Sequence, residues 1–483
     1  MPNPINNKTF LFCLFLIILL GVGLRFYDLT AESLWTDEMI SLIHLRAENA
    51  KELIDSVIYA ELMPPGYFLM LQSWANYFGE SEFSLRFLSV LFDCFSIILV
   101  YLLGKKVFNQ KVGLLSALVF STTMLPIVYA QEARPYALFG FLVLLSSYLF
   151  LCLYQNDLGS KRKYYFLGYT LVNAVSLYIN YLALFELLFH LLIFLFFFYF
   201  QSKSSLKTQI FSFISTFILF LPGMQILYLQ ALIRHPILQK TLILRGVPEF
   251  LSNLGILFYL LPLIISLFFF VFGFYIFKKY LILRFKQEYL VRTILFFALL
   301  LGIVHLILLE TILRSFALIR HSFFIFPFFI ILLAWAVLKI KPNQLKLTAI
   351  LIILLFNSYT LLVYYTETTK APWAEAVNFI SEHSDQNILI LFDRSGSNVL
   401  LYDYYSSPNF RHLNLTWEER GKLVQINEEE LFQNISKEKN FWLVSSRNIK
   451  TGDYYQELLI GKFPLILEKK YKELDLYYFK SST

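Results

Sequence analysis

The stretch "KTFLFCLFLIILLGVGLRFYDLTAESLWTDEMISL", Lys8–Leu42, joins two features that rarely stand together. Its first half, from Thr9 to Leu24, carries no charge. A helix rises about 1.5 Å per residue, so about 20 apolar residues cross a hydrocarbon layer about 30 Å thick. Its second half ends in Trp35-Thr36-Asp37-Glu38, with two adjacent carboxylates close behind that run. A charge held mid-bilayer costs about 2.5–3.5 kcal/mol, so acids this near hydrocarbon need a reason. One reading is a solvated helix face, or acids favouring a helix N-terminus. The other is a site at the membrane surface. Lys8 and the apolar core after it resemble a secretory signal, but no A-x-A-like cleavage site follows. The run is therefore expected to be a retained first transmembrane helix.

The whole chain extends this pattern. Of its 483 residues, 58% are hydrophobic and only 16% charged, and 52 are Phe. Soluble domains carry nearer a quarter charged residues, so the bilayer must be part of the solvent. Eleven apolar runs are long enough to span, at roughly 9–27, 83–104, 112–129, 135–154, 164–180, 181–200, 208–229, 254–277, 289–309, 319–338 and 346–365. Alternate loops are basic. Lys105, Lys106 and Lys111 are followed by Lys161, Arg162 and Lys163, then Lys203 and Lys207. Lys278, Lys279, Arg284 and Lys286 come next, and Lys339, Lys341 and Lys346 last. Against these stand only Asp157 and Glu288. By the positive-inside rule the N-terminus is cytoplasmic and the C-terminus extracytoplasmic. The net charge of +7 is thus a topology signal, and no basic face for nucleic acid is visible.

The expected architecture is an α-helical polytopic membrane protein with about eleven transmembrane helices and a small extracytoplasmic α/β domain. The membrane domain covers residues 1–365 and includes a long, acid-rich outer loop at 28–82. In that loop Glu38–Ile58 and Pro65–Phe78 read as helical, and Pro65 suits a first helical turn. A second, basic outer loop is expected at about 230–253. Residues 366–483 are more polar. There Pro372–His383 and Ser397–Tyr405 read as helices, and Asn387–Phe392 and Phe441–Ser445 as strands. Leu465–Tyr471 with Leu474–Lys480 reads as a hairpin.

Polar residues near the span ends are the candidates for chemistry. "YAQEARPYAL", Tyr129–Leu138, falls at the short outer turn between spans three and four. Either Arg134 snorkels to the interface beside a capped turn, or it binds an anionic group with Gln131 and Glu132 adding polar contacts. Arg314, Arg320 and His321 lie near the outer end of span ten, where positive residues run against the general bias. Deeper in the spans are Asp93, for which the sequence offers no partner, and Glu186 with His190, which share a helix face and can pair. Cys13, Cys94 and Cys152 lie in apolar runs without metal-ligand spacing and read as small buried residues. No Walker A loop, dinucleotide fingerprint, HExxH or GxSxG occurs, which argues against nucleotide-driven transport by this chain.

Three segments in order and spacing resemble the polytopic glycosyltransferases of the GT-C fold, in the bacterial branch of the protein mannosyltransferase and aminoarabinose transferase superfamily (glycosyltransferase family 39-like). They are Trp35-Thr36-Asp37-Glu38, then Pro64-Pro65-Gly66-Tyr67 with Gly79-Glu80-Ser81 and Arg86, then Gln131-Glu132-Ala133-Arg134-Pro135-Tyr136. The likeness is dense over about 20–150. Further on, "LIRHSFFIFP" (318–327) resembles a family R-Y-x-x-x-x-x-P segment, with His321 standing where the family has Tyr.

The resemblance implies a reaction. A sugar on a polyprenyl phosphate in the outer leaflet passes, with inversion, to an acceptor lipid, glycan or protein. Asp37 is then the general base and Glu38 its orienting neighbour. Arg134, with Arg320 second, holds the donor phosphate, and Gln131, Glu132, Tyr136 and His321 complete the candidate site. Some relatives use a divalent metal near the acids; this chain shows no dedicated metal cage, so the cofactor stays open. The implied location is the cell (inner) membrane. A secondary transporter or lipid-linked sugar flippase is the competing class, with Asp93, Glu186 and His190 its only hints.

Overall fold

The computed structural model describes residues 7–153, 159–197, 203–244, 323–385, 387–393, 397–406, 410–419, 422–446 and 450–481. The expected spans at 254–277 and 289–309 lie outside the described residues, as do Arg314, Arg320 and His321. The chain divides into two compact units. One comprises Met1–Tyr27, His44–Glu80 and Ser84–Leu361; the other comprises Asp28–Ile43, Ser81–Phe83 and Leu362–Thr483.

The first unit is helical. Among the described residues, five helices are long and apolar enough to cross a membrane: Lys8–Phe26, Glu82–Val107, Tyr136–Leu153, Leu206–Ile233 and Asn343–Thr366. Their outward faces are apolar: Phe12, Phe15, Leu19, Leu351, Leu355 and Phe356 are all exposed. Lipid is the solvent that makes such faces stable, and the chain is a multipass membrane protein. Helices α1 (Asn7–Phe26), α5 (Glu82–Val107) and α6 (Gln110–Thr122) pack closely around one apolar core. The approach of α5 to α6 depends on Gly113, where an added Cβ would lie 2.5 Å from the Tyr101 carbonyl oxygen.

Three expectations need correction. The run at 112–129 is not one straight span. Helix α6 ends at Thr122 and α7 (Met124–Ala130) leaves it at 60°. Pro126 is the cause: it has no N–H to donate and its ring clashes with a preceding helical turn, but it fits the first turn of a new helix. The carbonyls and hydroxyls at the break find other partners. Thr123 Oγ1 donates to the Val119 carbonyl at 2.6 Å, and Asn357 Nδ2 donates to Thr122 Oγ1 at 3.0 Å and Thr123 Oγ1 at 3.2 Å. Second, Glu38–Ile58 is two helices, α2 (Thr36–Leu45) and α3 (Ala50–Ala60). Asn49 caps α3 by accepting from Glu52 N at 3.0 Å, and Glu52 Oε2 accepts from Glu48 N at 2.9 Å. That reciprocal cap starts a new helix. Third, the loop expected from 230 is helical as far as Leu244, because α11 runs unbroken over Lys203–Leu244.

Two buried polar groups now have partners. Asp93 pairs with Arg25, Oδ2 to Nε at 2.5 Å, both side chains fully enclosed. Arg25 Nη1 also donates to the Gly21 carbonyl at 3.0 Å, and the guanidinium lies over the Phe120 ring. Glu186 and His190, on α10 (Ala183–Phe197), are 4.0 Å apart at nearest approach. The imidazole has closer partners on two other helices. Its Nδ1 is 3.0 Å from the Tyr169 hydroxyl on α9 (Arg162–Ile179), and its Nε2 is 3.3 Å from the Ser147 hydroxyl on α8 (Tyr136–Leu153).

The second unit holds a five-stranded sheet of order β2-β1-β5-β7-β6. Strands β1 (Leu389–Phe392), β2 (Arg411–Asn414) and β5 (Asn440–Ser446) are parallel; β7 (Leu474–Lys480) pairs antiparallel with β5 on one side and with the edge strand β6 (Leu465–Lys470) on the other. The four residues of β1 are all buried, as a central strand covered on both faces requires. Edge strand β6 instead shows Glu468, Lys469 and Lys470, charges that discourage edge pairing. Leu391, Leu431, Leu443, Tyr455 and Phe479 close the core. The expected helices, strands and hairpin of 366–483 are present, while β2, a small hairpin of β3 (Thr416–Glu419) and β4 (Lys422–Gln425), and two further helices escaped the sequence reading.

The Arg25–Asp93 pair yields a test. Asp93→Asn or Arg25→Leu leaves one buried charge alone and lowers stability by about 3–5 kcal/mol, read as a drop in melting temperature in detergent. The double variant Arg25→Met with Asp93→Leu recovers most of it.

Candidate functional site

The acidic motif lies in the second unit. Trp35 precedes α2, whose first turn carries Asp37 and Glu38, where the helix dipole favours negative charge. Asp37 is half-buried and Glu38 is fully buried. Glu38 Oε2 accepts from Trp35 N at 3.4 Å, the returning half of a capping box. The same oxygen is 3.2 Å from Lys370 Nζ. The residues just ahead of the motif are held as firmly. Glu32 accepts from Thr369 Oγ1 at 2.7 Å, from Lys370 N at 3.2 Å and from Thr369 N. Ser33 Oγ accepts from Ala374 N at 3.0 Å and so satisfies an orphan donor in the first turn of the helix Trp373–His383. Leu34 N donates to the Tyr405 hydroxyl at 2.7 Å, and that hydroxyl donates to Glu82.

The arginine motif lies in the first unit. Gln131 caps α7 through its backbone, and its Nε2 donates to the carbonyls of Arg25 at 3.0 Å and Tyr27 at 2.7 Å. Glu132 and Arg134 are both buried in the turn that follows, with Arg134 N donating to the Glu132 carbonyl at 2.8 Å. Arg134 Nη1 donates to Glu61 Oε1 at 2.9 Å, and its guanidinium lies 5.8 Å over the Phe68 ring. Snorkelling to an interface is thus not what Arg134 does; it is 4% exposed and ion-paired. Tyr136 opens α8 as a buried ring 5.3 Å from Tyr129. Around Glu61 the chain is fixed by Gln230, whose Nε2 donates to the carbonyls of Glu61 at 3.2 Å and Met63 at 2.9 Å. Gly66 permits the close passage of α4 (Gly66–Phe78) beside α9, since a Cβ there would lie 2.4 Å from the Tyr178 carbonyl oxygen.

His44 was not among the sequence candidates. It is buried, with Nδ1 2.8 Å from Ser56 Oγ, its ring edge-on to Phe68, and Nε2 enclosed without a hydrogen-bond partner. Burial lowers its pKa from 6.5 to about 4; Glu61 opposes that and Arg134 adds to it. Lys370, Tyr405 and Glu61 were also missed, since partners 73 to 371 positions away leave no local pattern. The pattern Asn49-x-x-Glu52, by contrast, was readable as a cap. Among the described residues no group of three His, Cys, Asp or Glu side chains is placed to hold a metal.

Residues 63–228 match the family described as dolichyl-phosphate-mannose-protein mannosyltransferase. An uncharacterized protein of Aquifex aeolicus is 31% identical over 146 residues, a match spanning 28% of this chain and 28% of that protein. Among solved structures, ArnT from Cupriavidus metallidurans in the apo state is similar with a TM-score of 0.55, covering 96% of this chain and 97% of that one at 11% identity. The same protein bound to undecaprenyl phosphate gives 0.57 with the same coverage and identity. The oligosaccharyltransferase of Archaeoglobus fulgidus, in complex with zinc and sulfate, gives 0.52, covering 97% of this chain and 73% of that one at 13% identity. The fold is that of the GT-C membrane glycosyltransferases.

His44 makes stability depend on pH with a definite sign. Between pH 6.5 and about 4 the unfolded chain binds a proton that the folded chain resists, so stability present above 6.5 is lost as pH falls through that window. The melting temperature of the wild type is expected to fall more between pH 7 and 4.5 than that of His44→Gln, and parallel curves would refute this.

Proposed function

We propose that the chain is a membrane glycosyltransferase that moves a sugar from a polyprenyl-phosphate carrier to an extracytoplasmic acceptor with inversion. The observation that carries this is the fold shared along nearly the whole chain with a protein captured holding undecaprenyl phosphate. The acidic and arginine motifs lend it support, because Glu38 and Arg134 are both buried and hydrogen-bonded. Basic loops alternate with the spans as expected of an inner-membrane protein whose soluble domain faces outward.

The chemistry is a single in-line displacement. Asp37 takes the proton from the acceptor hydroxyl as that oxygen bonds to the anomeric carbon. The bond from that carbon to the phosphate oxygen breaks, and the electron pair leaves on the phosphate, which needs no acid because it departs charged. Glu38, fixed at the start of α2, orients the base or the acceptor. Arg134 holds the phosphate; a guanidinium offers paired N–H donors that match phosphate oxygens. Glu61 and Phe68 support it in place. Arg320 is the second phosphate candidate, and Gln131, Glu132, Tyr136 and His321 complete the proposed site. The membrane domain of 1–365 would carry the chemistry, and the domain of 366–483 would stand outside the bilayer. Transport without covalent change is the rival reading; no observation favours it over transfer.

Two outcomes follow. Asp37→Asn is expected to express and melt like the wild type but lose transfer by about 10²–10⁴-fold, the usual worth of a positioned base; near-normal transfer removes the assignment. Arg134→Gln, combined with Glu61→Gln so that no buried carboxylate is stranded, is expected to weaken undecaprenyl phosphate binding by about 10–100-fold. That is the size of a lost hydrogen bond to a charged group. Acceptor KM should change far less, and equal affinity for undecaprenyl phosphate would refute the role.

A further inference from the structure

His44 is 1% exposed, yet only one of its ring nitrogens is used within the chain. Its Nδ1 lies 2.8 Å from the Ser56 hydroxyl, and that nitrogen is the hydroxyl's acceptor among the described residues. A hydroxyl has one proton to donate, and an unprotonated ring nitrogen takes it. Burial keeps the imidazole neutral at pH 7, with its pKa held at about 4. The single ring proton then sits on Nε2. That nitrogen is enclosed and bonds nothing among the described residues. A buried N–H in this state has given up its hydration, and it calls for an acceptor from outside the chain.

The neighbours of the ring define that acceptor. Phe68 meets His44 edge-on with centroids 4.8 Å apart, and the Arg134 guanidinium lies 5.8 Å over the same Phe68 ring. Arg134 and its partner Glu61 both act electrostatically on the imidazole. Ser56, Glu61 and Phe68 fall within His44–Glu80, and with Arg134 they belong to one compact unit. Guanidinium and imidazole N–H are both donors, so a ligand that satisfies both is an anion with several acceptor oxygens. A phosphate has that chemistry. We infer that His44 is a second ligand of the donor phosphate, its Nε2–H donating to a phosphate oxygen beside the Arg134 guanidinium. The inference rests on the proposed phosphate-holding role of Arg134. In it Ser56 is a positioning residue that fixes the tautomer, and His44 adds a hydrogen bond without adding charge.

The test uses the purified full-length chain with isotope-labelled histidine, and undecaprenyl phosphate as the probe. NMR signals of His44 are identified among the seven histidines by their loss in His44→Gln. Saturating lipid is expected to shift the Nε2–H signal. A signal that stays in place, as a merely structural histidine would give, overturns the inference, and so does a ring proton found on Nδ1. Inorganic phosphate is the second arm: an equal shift at equal concentration would make the ligand a free anion and overturn the assignment to the donor lipid. In affinity, His44→Phe is expected to lose about tenfold or more, the size of a hydrogen bond to a charged group. His44→Gln, whose amide keeps a donor near the Nε2 position, is expected to stay within about threefold. Wild-type affinity in His44→Phe overturns the inference and leaves the Arg134 reading standing, because the Arg134→Gln, Glu61→Gln variant tests that separately. A wild-type chain that does not bind undecaprenyl phosphate overturns both.

Discussion

Charge enclosed in apolar surroundings must be paired, because an isolated ion there forfeits its hydration with nothing in return. This chain meets that demand with partners far apart in sequence. Arg25 finds Asp93 across 68 positions, Arg134 finds Glu61 across 73, and Lys370 finds Glu38 across 332. The first two pairs tie together helices of the membrane unit. The third belongs to the unit that holds the soluble sheet. Each pair fixes a segment that would otherwise be a loose connection: the end of α1, the turn after α7, and the start of α2. Two of those segments are the motifs on which the proposed chemistry depends.

The pairing also separates what was legible in the sequence from what was not. Apolar runs and basic loops announced a polytopic membrane protein, and the helices found at 7–26, 82–107, 136–153 and 343–366 follow them closely. Strong local patterns carried the soluble domain as well: the helix Ser397–Tyr405 and the strand Leu474–Lys480 lie where periodicity put them. Four-residue strands such as β2 and β3 were missed because so few residues hold no period. The break at Pro126 was missed because the apolar run continues through it, although proline chemistry marked the place. Asp93 could not be explained because its partner sits on another helix. The acidic and arginine motifs were visible as unusual residues, but the lysine, glutamate and histidine around them were not, since tertiary contact alone brings them there.

The same reasoning bears on the choice between an enzyme and a transporter. A transporter gathers its polar residues near the midplane, on helices that break there. Here His190 is held between the Tyr169 and Ser147 hydroxyls of two neighbouring helices, which reads as helix packing. Among the described residues the one broken span, at α6 and α7, leads instead into the turn that carries Gln131, Glu132 and Arg134.

The most direct measurement follows the bond between the sugar and its phosphate. Proteoliposomes holding the purified chain can be charged with lipid extracted from cells lacking the gene, then supplied with envelope acceptors and analysed by mass spectrometry and NMR. Transfer by single displacement releases free polyprenyl phosphate in step with glycosylated acceptor, and the new linkage has inverted anomeric configuration. Lipid-linked sugar that crosses the bilayer chemically unchanged, or product formed with retention, would contradict it.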